Sequence, residues 1–217
     1  MASRVELRLH GRVDLVDRWP LPEASELADR LLEAYGVERR SYHDVRHLAE
    51  VLDRLDELAG AGAPFDPVPV RLAAWFHDAV YDGRPDAEER SARWAEEALT
   101  GAGLASATVQ EVARLVRLTE HHRPAPDDVD GAALSDADLA ILASPPERYA
   151  GYAADVRREY AHLADRDFAL GRTEVLRGLL SAERVFRTDH GFANWEQAAR
   201  RNVETELVEL SERRSGP

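Results

Sequence analysis

The segment Val68-Pro-Val-Arg-Leu-Ala-Ala-Trp-Phe-His-Asp-Ala-Val80 is apolar nearly all round a helical wheel, through Leu72, Ala73, Ala74, Trp75, Phe76, Ala79 and Val80. A helix with no polar face belongs in the middle of a protein, with other helices packed around it. Its C-terminal end carries His77 and Asp78, two groups that are costly to bury unless each is paired or bound to a metal.

Working outward, nearly every other stretch also reads at helical period, and none alternates cleanly as a strand would. The spacing predicts helices over about 22–35, 42–59, 86–100, 106–122, 136–142, 146–163, 167–187 and 194–213. Tyr149, Tyr152, Ala153, Val156, Tyr160 and Leu163 form one core stripe, and Trp195, Ala198, Ala199, Val203, Leu207 and Leu210 form another. Asn202 interrupts the second stripe, as a polar tie between helices or as a site residue. The expectation is an all-α fold in a single domain spanning residues 1–217.

At 217 residues the chain is long enough to bury a sizeable core without staples. It has no cysteine, which excludes disulfides, thiol nucleophiles, zinc fingers and iron–sulfur clusters. All 28 basic residues are Arg; without lysine there is no Schiff-base or Walker-type chemistry. The net charge of −13 disfavours duplex nucleic acid and anionic membrane as partners. A small anionic substrate remains compatible, because a metal or a local Arg cluster reverses the field inside one cleft. No apolar run approaches a bilayer span, and charges in Met1 to His10 argue against a signal peptide. The expected location is the cytoplasm.

Three places collect chemistry. His43 and His47, four residues apart, share the face that Val51 and Leu55 continue into the core. His77-Asp78 closes the most apolar helix, and Asp136 and Asp138 frame a short apolar one. Imidazole and carboxylate ligands with no thiolate suit Mn, Co, Ni, Fe or Mg better than structural zinc. Such a set leaves coordination positions for water, which hydrolysis requires.

Tyr42-His-Asp-Val-Arg-His47, Trp75-Phe-His-Asp-Ala-Val-Tyr-Asp82 and Asp136-Ala-Asp-Leu-Ala-Ile-Leu142 together resemble the HD superfamily of metal-dependent phosphohydrolases. More narrowly, they resemble its bacterial predicted phosphohydrolases. Later matches are Arg157-Arg-Glu-Tyr160, Gly171-Arg172-x-x-Val-Leu and Ala199-Arg-Arg-Asn202, so the likeness runs over residues 19–210. The resemblance implies an HD-type helical bundle in which His47, His77, Asp78 and Asp138 hold one divalent ion per chain. Asp136 is then left to cap its short helix. The implied reaction is hydrolysis of a small phosphate ester, a nucleotide or related phosphate, by a water that the ion activates. Superfamily members are often homodimers, and the alternatives are a non-catalytic metal- or ligand-binding module and an iron-dependent HD oxygenase.

The likeness has two gaps. Nucleotidases of this superfamily often place a Glu three residues after the HD aspartate, where this chain has Tyr81. Proton transfer would then fall to Asp82, Glu89 or His122. Dinuclear members use two further, separated histidines, whereas only the adjacent His121 and His122 occur before Asp138. Residues placed at the substrate are His43, His121, Arg157, Tyr160 and Arg172. Each also has a plainer reading: His43 satisfied by a backbone carbonyl, Asp82 capping the following turn, Glu89 on a solvated face, His122 a C-terminal cation, and the arginines on the surface. His10, His162 and His190 carry no signal.

Overall fold

The computed structural model of the chain describes residues 15–37 and 39–215; His10 and the charged stretch before it lie outside them. The central helix runs over Pro67–Phe76, with the Asp66 side chain accepting from the Val68 N–H and Pro67 in the first turn, where its missing N–H costs nothing. Every residue from Leu72 to Phe76 is buried. The helix stops before Val80 because the Ala79 N–H bonds back only to Phe76 O at 2.9 Å and the Val80 N–H donates to Ser91 Oγ at 3.0 Å. The buried Arg40 guanidinium then holds the turn, donating to Asp78 O at 2.7 Å and to Ala79 O at 2.9 Å. The expected continuation over 77–80 is therefore a turn that holds His77 and Asp78 at the end of a rigid rod.

In chain order the helices are α1 (Ser25–Tyr35), α2 (Val45–Gly60), α3 (Pro67–Phe76), α4 (Ala87–Gly101), α5 (Ser106–Leu118), α6 (Val129–Leu139), α7 (Pro146–Glu159), α8 (Asp165–Leu180), α9 (Asp189–Asn194) and α10 (Glu196–Ser215). Short 3-10 turns cover Pro22–Ala24 and Ala140–Ala143, and no strand occurs among the described residues. The fold is all-α. α3 packs against α2, α4, α5 and α6, while α10 packs on α8 and on the Ala140–Ala143 turn. One contiguous cluster of buried side chains runs from Leu15 to Leu210. None of the described helices is long and apolar enough to cross a membrane.

Three helix boundaries differ from the periodic pattern, each for a local reason. α2 begins at Val45 rather than 42, because Asp44 caps it by accepting from the Arg46 and His47 N–H groups. α5 ends at Leu118, short of the histidines, and His122 then takes a left-handed backbone at φ 50 with its N–H on Leu118 O. α6 starts well before residue 136, because Asp128 caps it through the Gly131 N–H.

That last difference corrects the role of Asp136. It caps no start of its own helix; its fully buried carboxylate accepts from the Arg187 and Thr188 N–H groups at 2.7 and 2.8 Å and from the Thr188 hydroxyl. Burial pushes the carboxyl up, to about 6, against the pull of those donors. Glu196 holds the preceding two residues in the same way, accepting from the Val185 and Phe186 N–H groups at 3.0 Å. Helix 167–187 of the sequence pattern therefore ends at Leu180, and 181–188 becomes a loop whose backbone is fixed by two carboxylates. Gly191 is demanded there, since a Cβ would lie 2.6 Å from Asp136 Oδ2 and 2.9 Å from Thr188 Oγ1. Gly191→Ala is expected to cost about 1–3 kcal/mol by overpacking, read as a lower midpoint in urea at unchanged slope.

Asn202 is a tie: its amide donates to Leu142 O and Ser144 O, both at 2.8 Å, joining α10 to the Ala140–Ala143 turn. The aromatic and aliphatic stripes at Tyr149, Tyr152 and Val156 and at Trp195, Ala199, Val203 and Leu210 are core.

Candidate metal centre and its cavity

α2, the turn after α3, and α6 bring His47, His77, Asp78 and Asp138 to one point. His47 Nε2 lies 3.1 Å from His77 Nε2, 3.4 Å from Asp78 Oδ2 and 3.1 Å from Asp138 Oδ1. His77 Nε2 lies 3.1 Å from Asp78 Oδ2 and 3.6 Å from Asp138 Oδ1. Ligand atoms about 2.1 Å from a common ion at right angles are about 3 Å apart, so this spacing is that of a coordination shell. His47, His77 and Asp78 offer three buried ligand atoms mutually within 4.8 Å, a group able to hold a metal ion.

The surroundings suit that task. The His77 Nδ1–H donates to Ala74 O at 2.8 Å, which orients the ring and presents Nε2 to the cluster. Asp78 is held by its backbone: its N–H donates to the Tyr35 hydroxyl at 3.2 Å and its carbonyl accepts from Arg40. The short contact between the two Nε2 atoms requires a proton on one of them. Burial alone would depress the His47 imidazole, but hydrogen bonds to Asp138 and Asp78 push it up to about 10. Burial would likewise raise both carboxyls, yet the charges of His77 and its neighbours hold Asp78 and Asp138 well below the usual range. A divalent ion at this point takes the place of the shared proton, so the donor set fits such an ion, and its binding releases protons.

The cluster lies on a cavity of about 1060 Å3. Of the residues expected there, His43, His77, Asp78, His121, His122, Asp138, Tyr160 and Arg172 line it. His122 Nε2 is 3.5 Å from Asp138 Oδ2, while its buried Nδ1 has no hydrogen-bond partner. Burial depresses its imidazole. His121 is exposed and 3.7 Å from Glu120.

Asp82, Glu89 and Arg157 do not line the cavity. A two-pronged Arg90 contact at 2.7 and 2.8 Å engages Asp82 and holds its carboxyl well below the usual range. Arg117 and Arg93 engage Glu89, pulling its carboxyl down to about 2. Carboxylates so engaged are poor bases, which corrects both as proton-transfer groups. Arg157 is committed to Asp165 and to the carbonyls of Tyr160 and Leu163. Arg172, although it reaches the lining, is spent on Glu206 at 2.8 Å and the Tyr152 hydroxyl at 3.0 Å. Neither guanidinium is free for a substrate phosphate.

Glu159, inside the Arg157–Tyr160 match, carries no assigned role in the sequence pattern. From the end of α7 its Oε1 accepts from three successive N–H groups, Ser41, Tyr42 and His43, at 2.8, 2.8 and 3.0 Å. Its Oε2 accepts from His43 Nδ1 at 2.6 Å. The carboxylate is 3% exposed. With Nδ1 committed, His43 has only Nε2 left for the cavity, and its ring stacks on Tyr81 at a centroid distance of 4.0 Å. Tyr81 is thus a wall for the imidazole.

No family model, curated protein or solved structure matches this chain.

Proposed function

We propose that this chain is a metal-dependent phosphohydrolase of the HD type, acting on a small phosphate ester. The observation that carries the reading is the convergence of two imidazoles and two carboxylates from three separate segments, with His77, Asp78 and Asp138 on the wall of a cavity large enough for a nucleotide-sized ligand. His47, His77, Asp78 and Asp138 hold the ion. When bound, a divalent ion there supplies Lewis-acid activation of a water and of a phosphoryl oxygen.

The chain's own residues supply the proton transfers. Hydrolysis forms a P–O bond to the water oxygen and breaks the P–O bond to the ester oxygen; the water loses one proton and the ester oxygen gains one. His122, kept neutral by burial, accepts the water's proton at Nε2, and the Asp138 carboxylate 3.5 Å away faces the resulting charge. His43 delivers a proton from Nε2 to the leaving oxygen, with Glu159 accepting from Nδ1 at 2.6 Å. The left-handed backbone of His122 and its unsatisfied Nδ1 are local costs that placement of this imidazole explains.

Phosphate release from 4-nitrophenyl phosphate and mixed nucleotides, with Mn, Co, Ni, Fe or Mg added singly, tests the reading. Release that needs a divalent ion and stops on chelation is the expected result. A tightly bound ion with no release under any of the five contradicts it in favour of a binding module. Oxygen consumption with bound iron contradicts it in favour of an oxygenase.

A further inference from the structure

Three arginines on the cavity lining, Arg123, Arg184 and Arg187, have no carboxylate within ion-pair distance among the described residues. Glu88, Glu120 and Asp167 share the lining, yet none pairs with them. Arg172, on the same lining, is fully engaged by Glu206.

One of the three, Arg187, is mounted on unusually fixed backbone, and Arg184 directly precedes the fixed run. The N–H groups of Val185, Phe186, Arg187 and Thr188, four in succession, all donate to the buried Glu196 and Asp136 carboxylates. The Arg184 guanidinium carbon also sits 3.9 Å from the centroid of the Phe192 ring. Fixing the Arg187 backbone and resting the Arg184 guanidinium on a ring face lowers the entropy lost when the guanidiniums close on an anion, and an arginine fork matches phosphate oxygens in geometry.

We propose that Arg123, Arg184 and Arg187 form a second anion subsite on this cavity, so that the substrate carries a further phosphate besides the reacting phosphoryl group. The inference deepens the phosphohydrolase reading and rests on it for the reacting group. It names a polyphosphorylated small molecule as the substrate class. The ion neutralises one phosphate, and three additional unpaired cations are more than a neutral leaving alcohol needs.

Calorimetric binding of inorganic phosphate and of pyrophosphate tests this, in magnesium buffer and again in metal-free buffer. Wild-type protein is expected to bind pyrophosphate at least about tenfold more tightly than phosphate, the effect of a few charge-assisted hydrogen bonds. In R184Q/R187Q that ratio is expected to fall at least about tenfold. R201Q, which removes an exposed arginine outside the cavity, is expected to keep it. Equal binding of the two anions by the wild type, an unchanged ratio in R184Q/R187Q, or an equal loss in R201Q would overturn the subsite. Phosphate release from 4-nitrophenyl phosphate is scored separately on the wild type. A preference for pyrophosphate without ester hydrolysis would end the hydrolase reading and leave the subsite standing.

Discussion

Replacing His77 by alanine is expected to strip the divalent ion from the protein and to abolish phosphate release. Loss of an outer partner of a metal ligand already costs about 10–100-fold in affinity, so loss of the ligand itself should exceed about 100-fold. The ion contributes several kcal/mol to the transition state, which at 1.36 kcal/mol per decade corresponds to a rate loss on the order of 1,000-fold or more. The variant also leaves Asp78 and Asp138 facing one imidazole fewer in a buried site, a change of the kind that costs about 3–5 kcal/mol. Asp138→Asn therefore serves as a milder companion that keeps shape and removes one charge. Metal titration and circular dichroism on both separate loss of the ion from loss of the fold. Either variant retaining full ion affinity in a folded state would remove its residue from the ligand set.

Glu159→Gln is expected to lower kcat by about 100- to 10,000-fold while KM moves little. The Gln carbonyl oxygen can keep the three N–H groups of residues 41–43, so the segment stays folded. Its amide then faces His43 Nδ1 as a donor, so the Nε2 proton can come only from a neutral imidazole, a much weaker acid, and the contribution of general-acid catalysis, about 100- to 10,000-fold, is lost. A purely structural role for Glu159 would instead appear as a lower unfolding midpoint with kcat preserved. His43→Asn should lose a similar factor, and the double variant should be little worse than either single one, because the two residues act as a unit. Additive losses, or a kcat within about threefold of wild type, would remove the dyad from the mechanism.

The contrast between His47 and Glu159 shows how far the amino-acid sequence could be read. His47, with Val51 and Leu55 on its face, and His77 at the end of a helix with no polar side both announce buried imidazoles, since local periodicity carries that information. The same holds for the helices themselves, and for Asn202 on an apolar stripe. Glu159 lies 116 residues from His43, and no local pattern links them. Arg40 is equally silent, although by holding the Asp78 and Ala79 carbonyls it fixes the turn that carries Asp78.

Charge pairing was the other hidden quantity. Asp82, Glu89, Arg157 and Arg172 have the residue types a phosphate site needs. The fold nevertheless engages them with partners 8, 28, 8 and 34 positions away. Arg184 and Arg187 look like ordinary surface arginines until Asp136 and Glu196 are seen to hold the loop beneath them. Asp136 itself, in a helix-start context by sequence, acts on a segment 51 residues later.

The central claim is that His47, His77, Asp78 and Asp138 share one ion. Anomalous diffraction from a crystal grown with manganese tests it most directly. The account predicts a single strong peak about 2.0–2.3 Å from His47 Nε2, His77 Nε2 and one oxygen each of Asp78 and Asp138. A map with no peak at that point, or a peak held by other residues, would contradict it.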